Sequence, residues 1–111
     1  MKITVRHVAA AYEFLSKLPP FSGWVLPPRS EVSFGVLRTR RWQGDFDTGA
    51  KPRIRVSAAR VSYADRLLVV TAHEMTHLHA HLLGKPNTHG PAFRALARKV
   101  CAELGFDPKE F

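Results

Sequence analysis

His73 and His77 stand four residues apart with Glu74 between them, in the run His73-Glu74-Met75-Thr76-His77. On an α-helix, residues i and i+4 lie one above the other on one face. Two imidazoles so placed can point at one metal ion, each nitrogen about 2.0–2.1 Å from it. Glu74 lies about 100° around the helix from His73. It is poorly placed to bind the ion beside both histidines but can reach a water on it. There the carboxylate can accept the water's proton as general base, while the metal lowers the pKa of the water and polarises a scissile carbonyl. Such hydrolytic chemistry requires a third protein ligand and an open fourth position.

Four residues compete for the third place. His79 faces well away from His73 and His77 around the helix. His81 follows His77 by four residues but stands about 12 Å along the axis from His73, too far to share one ion with both. Glu103, on the last predicted helix, would complete a two-histidine-plus-glutamate site. His89 lies twelve residues beyond His77, in a loop just before Gly90-Pro91. That loop is long enough to fold back over the motif, so His89 is preferred to Glu103. His7, His79 and His81 read as surface or hydrogen-bonded polar residues. An HExxH run also arises by chance in helices that bury histidines for packing, so the flanking elements carry weight.

Those elements follow from periodicity and punctuation. From Ala64 to Leu83 the pattern is helical and apolar on several sides, which predicts a buried helix carrying the motif. Gly84 can end it in a left-handed cap, with Pro86 just beyond. A last helix begins near Pro91, with Phe93, Leu96, Ala97, Val100 and Leu104 as its apolar stripe, and Gly105 and Pro108 mark its end. Upstream, residues 4–17 read as a helix that Thr4 can cap. Prolines and glycine then break the chain through Pro28. Residues 32–42 and 53–58 read as strands, with Ile54 and Val56 on one face and Arg53 and Arg55 on the other. A third short strand is expected in 21–27 or 44–47. The expected fold class is α+β: an N-terminal helix, a small antiparallel sheet of about three strands, the HExxH helix and a C-terminal helix.

The chain of 111 residues suits one domain, residues 1–111, and its 45% hydrophobic content excludes disorder. No apolar run approaches the roughly 20 residues of a membrane helix. The basic, Ala-rich N-terminal stretch reads as a helix, not a signal peptide. Cys101 is the only cysteine, which excludes an internal disulfide and a zinc site built on several thiolates. These features predict a cytoplasmic protein, and a monomer is expected.

The segment from His73 to Val100 resembles the SprT-like zinc metallopeptidases, the family that includes the Spartan protease. The family pattern is HExxH, about a dozen residues, then HGxxF at a helix start; here the second part is His89-Gly90-Pro91-Ala92-Phe93. Upstream, Ile54-Arg55-Val56-Ser57 resembles the strand that leads into the motif helix. The resemblance covers about residues 32–104. It implies a minimal zincin-like fold and one Zn2+ held by His73, His77 and His89, with Glu74 as catalytic base. It further implies a protein or peptide substrate, in Spartan-like members a protein bound or crosslinked to DNA. The chain departs from bacterial members in having no cysteine-rich zinc ribbon. Metzincins are excluded, because Ala80 and Leu83 stand where they need Gly and His.

The charge points to a polyanion. Lys and Arg number 17 against 9 Asp and Glu, a formal +8. Arg38, Arg40, Arg41, Arg53 and Arg55 cluster on the two predicted strands, with Trp42 beside them, as a candidate single-stranded nucleic-acid surface. Two further functions therefore stand beside the peptidase: a nucleic-acid-binding module with a structural or vestigial zinc site, and a metal-dependent hydrolase of a non-peptide substrate.

Overall fold

Thr4 opens the first helix through a capping box: its Oγ1 accepts the His7 N–H at 3.4 Å, and its own N–H donates to His7 Nδ1 at 2.9 Å. The structure, a computed structural model, describes residues 1–111. Helix α1, Val5–Ser16, turns Val8, Ala11, Tyr12 and Leu15 into the core. Two single 3-10 turns, Phe21–Gly23 and Arg29–Glu31, punctuate the proline-rich stretch that follows. The Tyr12 hydroxyl ties this stretch to α1 by donating to the Pro27 carbonyl at 2.5 Å.

Three strands follow: β1 Ser33–Leu37, β2 Gly44–Asp47 and β3 Arg53–Ser57. Their order in the sheet is β1-β3-β2, with β2 antiparallel and β1 parallel to β3. The expected all-antiparallel sheet is thus a mixed one. Side-chain alternation is the same in either orientation, so the pattern of Val32, Phe34 and Val36 carries no sign of direction. The connection decides it: residues 38–52, including β2 itself, form a crossover of the length that parallel strands require. Register places Phe34 and Phe46 on either side of Ile54, and Val36 beside Val56, on the face packed against the helices. The opposite face pairs Asp45 with Arg55 and Asp47 with Arg53 across the strands.

Helix α2, Ala64–Leu82, runs through the middle and packs on α1, α3, β2 and β3. That position explains its many-sided apolar pattern: Leu67, Val70, Ala72, Met75, Leu78 and Ala80 are all buried. It ends in a Schellman turn. Gly84 takes φ 74°, its N–H donates to the His81 carbonyl, and the Lys85 N–H reaches the Ala80 carbonyl at 2.9 Å. Helix α3, Pro91–Leu104, starts with Pro91 in its first turn and stops at Gly105, φ 75°. No helix is long and apolar enough to cross a membrane.

Candidate metal centre

His73 and His77 lie one turn apart on α2, their ring centroids 5.0 Å from each other. The turn at Gly84 sends the chain back, and residues 85–90 bring His89 in from the far side. His89 Nε2 comes within 3.2 Å of His73 Nε2 and 3.0 Å of His77 Nε2. One donor nitrogen from each histidine lies within 4.8 Å of the others. Two nitrogens on a tetrahedral ion, each bound at 2.0–2.1 Å, stand about 3.3 Å apart. The spacing and the all-nitrogen donor set therefore fit one zinc-sized ion with its fourth corner open. Glu103 is exposed and outside the group. The ring of His79 stacks on Trp24 at 4.1 Å, and that of His81 faces Phe46 at 6.0 Å.

Each α2 histidine is held by a different means. His73 Nδ1 lies 2.9 Å from the main-chain oxygen of Phe111. That oxygen only accepts, so Nδ1 carries the proton and Nε2 offers its lone pair to the site. His77 Nδ1 is buried without a hydrogen-bond partner. Packing fixes this ring instead: Phe93 stacks on it at 4.2 Å and 25°. Phe93 is buried and also lies 5.0 Å from His73 and from His89, an aromatic floor under all three. The HGxxF spacing contains this residue, but its place against His77 is visible only in the fold.

Burial sets the protonation of the group. It holds His77 down at about 3, with His73 and His89 adding to the effect, and His73 at about 4, with His89 adding. Both imidazoles are neutral near pH 7, as metal ligands must be. Burial, with a smaller push from Asp45, raises Glu74 to about 8. A cation held on the three imidazoles would oppose that rise by favouring the carboxylate. Glu74 owes its enclosure to Gly44. A Cβ at Gly44 would come 2.8 Å from the Arg55 carbonyl oxygen and from Val70 Cγ1, and 3.3 Å from Glu74 Oε2. Only glycine lets β2 close on α2 here, and nothing in the residues around Gly44 signals this beyond turn chemistry.

A segment unassigned from sequence, Gly105–Phe111, folds back over the site. Arg66, in the first turn of α2, anchors it. Its guanidinium donates to Glu110 Oε2 at 3.1 Å and to the Glu110 carbonyl at 3.3 Å. The same guanidinium donates through Nε to Gln43 Oε1 at 2.8 Å, on the loop before β2. Phe111 thereby separates two hollows that both reach His73 and His89. One, of about 200 Å3, lies against Trp42, Gln43, Gly44 and Glu74. The other, of about 350 Å3, runs along α3.

The predicted basic surface divides in two. Arg53 is bonded to Asp47, and Arg55 to Asp45 at 2.8 and 2.5 Å, so these two are neutralised within the sheet. Arg38, Arg40 and Arg41 are exposed and form no ion pair with a carboxylate. Trp42 is 46% exposed, a surface residue beside them rather than a core one.

The profile of the SprT-like family matches residues 19–110. No curated protein matches the chain. The family match spans the sheet, the histidine helix, the returning loop and α3, and so covers Glu74 and all three histidines. The chain belongs to the SprT-like family.

Proposed function

We propose that the protein is a zinc-dependent metallopeptidase. The observation that carries this reading is the convergence of the His73, His77 and His89 Nε2 atoms, with the buried Glu74 carboxyl one residue from the first of them and facing the hollow beside β2. A zinc ion held by His73, His77 and His89 would supply a Lewis acid that acidifies water and polarises a peptide carbonyl. Glu74 accepts the proton of the attacking water and delivers it to the departing amine. The Phe111 main-chain oxygen keeps His73 in the metal-binding tautomer. The Gln43 amide, its Oε1 occupied by Arg66, keeps its two N–H donors for a substrate carbonyl. The outer edge of β2 is unpaired in the sheet and borders the same hollow, so an extended peptide can lie along it.

The test is Glu74→Gln. We expect the variant to keep stoichiometric zinc and to cleave an unfolded protein substrate about 10²–10⁴-fold more slowly than the wild type. Undiminished cleavage removes Glu74 as the base, and a wild-type protein that fails to retain zinc after reconstitution sinks the reading.

Single-stranded DNA is the partner that the exposed Arg38, Arg40, Arg41 and Trp42 favour; Trp42 lines the Glu74 side of the cleft, and Arg40 and Arg41 precede it directly in the chain. Titration against salt measures it: each phosphate that the protein neutralises adds about −0.7 to the logarithmic slope. A flat salt dependence, or binding unaffected by Trp42→Ala with Arg40→Ala, removes this partner.

A further inference from the structure

The larger hollow has a composition that the hydrolytic machinery does not use. Arg94, Ala97, Arg98 and Cys101 fall at i, i+3, i+4 and i+7 of α3 and form one face of it. Pro108 and Phe111 make the facing wall, and His73 and His89 close the inner end. The space between is about 350 Å3, the size of one or two side chains rather than a groove. Its wall is apolar at Phe93, Ala97, Pro108 and Phe111, and Ala97 leaves room where a longer residue would fill it.

Two guanidiniums one turn apart stand on this wall. The four ion pairs of the molecule engage Arg29, Arg53, Arg55 and Arg66, and neither Arg94 nor Arg98 is among them. The only carboxylate on α3 is Glu103, five residues past Arg98 and about 140° around the helix from it. The pair thus forms no ion pair, although the facing segment carries Asp107 near Cys101, and it stands at the edge of an apolar hollow that touches His73 and His89.

We infer that this hollow is a specificity subsite for an acidic side chain of a polypeptide substrate, glutamate above all. The inference rests on the peptidase reading. The methylenes of a glutamate lie against Phe111, Pro108 and Ala97. Its carboxylate meets the planar forks of Arg94 and Arg98, which suit two oxygens in one plane. A nucleic-acid phosphate has no use for the apolar wall of Phe111, Pro108 and Ala97, and is met as well by exposed arginines such as Arg38 and Arg40.

The zinc-loaded protein is given an unfolded substrate mixture, and the residues flanking each cut are read by mass spectrometry. The expected result is glutamate or aspartate enriched about tenfold over lysine at one fixed position beside the cut. Arg94→Glu with Arg98→Glu, both exposed positions, retains zinc and folding but loses this preference or shifts it to lysine and arginine. Cuts without acidic preference, or a preference that survives the double variant, overturn the inference while leaving the peptidase intact. A wild-type protein that binds zinc but cuts nothing fails the peptidase reading instead, and the subsite is then judged by binding. Glu74→Gln protein is titrated with labelled peptides that differ only in Glu or Lys; about tenfold tighter binding of the Glu peptide, lost in the Arg94/Arg98 variant, supports the subsite. Equal affinities overturn it. So does a single-stranded oligonucleotide that displaces the Glu peptide and itself loses affinity in that variant, which marks a nucleic-acid site.

Discussion

The three ligands of the candidate metal centre come from two unlike sources. His73 and His77 belong to the most enclosed helix of the molecule, one ring held by a main-chain oxygen and the other by Phe93. His89 stands exposed on the loop between the Schellman turn and α3. The helix supplies two ligands whose directions are fixed by its own surroundings, the Phe111 oxygen and the Phe93 ring. The loop brings the third from outside, and the site is complete only when the helix and the loop meet.

The largest effect that probes this contrast is ligand removal. His77→Ala and His89→Ala are both expected to abolish stoichiometric zinc, measured by metal analysis after dialysis. They separate in the metal-free protein: His77→Ala lowers the melting temperature because Phe93 loses its stacking partner, whereas His89→Ala leaves it unchanged. Equal destabilisation by the two would erase the distinction.

Next in size is the pH dependence of metal-free protein. His73 and His77 titrate near 6.5 when unfolded and at about 4 and about 3 when folded. The unfolded chain therefore binds more protons below pH 6.5, and stability falls as pH drops from there toward 4. Glu74 acts in the opposite sense, since its folded value of about 8 lies above the unfolded 4.5 and stability falls as pH rises between them. Chelator-treated Glu74→Gln should exceed the wild type in stability at pH 8 by an amount on the order of 2–4 kcal/mol, read by denaturant melts. A variant no more stable than the wild type would show that the carboxyl is not enclosed as described.

A smaller effect tests the wall against which Glu74 rests. Gly44→Ala puts a methyl into contacts of 2.8 Å with two neighbours. It is expected to cost about 1–3 kcal/mol of stability and to slow the proposed proteolysis with zinc affinity intact. Smallest is Arg66→Ala, which frees Glu110 and Phe111. Zinc affinity, followed by chelator competition, is expected to fall about tenfold, while Arg60→Ala, on the surface, changes nothing.

Much of the α2 half of the site was legible in the sequence, because helical geometry alone relates His73, Glu74 and His77. The helix ends were legible too: Thr4, Gly84 and Gly105 each act at the positions their chemistry prefers. His89 was legible only as the best of four candidates, since spacing says how far a loop can reach but not where it goes. What escaped were relations set by pairing across the chain. Arg53 and Arg55 looked like a free basic face because the sequence does not show that β2 lies next to β3 in the register that puts Asp47 and Asp45 opposite them. The bond from His73 to Phe111 spans 38 residues and involves a main-chain oxygen, which no residue type announces.

Phe93 and His89 sit four residues apart on either side of Gly90-Pro91, so the third ligand and the aromatic floor are carried on one short piece of backbone. A metal ion at the site would then act as a clasp between two helices as well as a reagent. Stripping it will register first as faster amide exchange in the opening turn of α3, with the interior amides of α2 still protected.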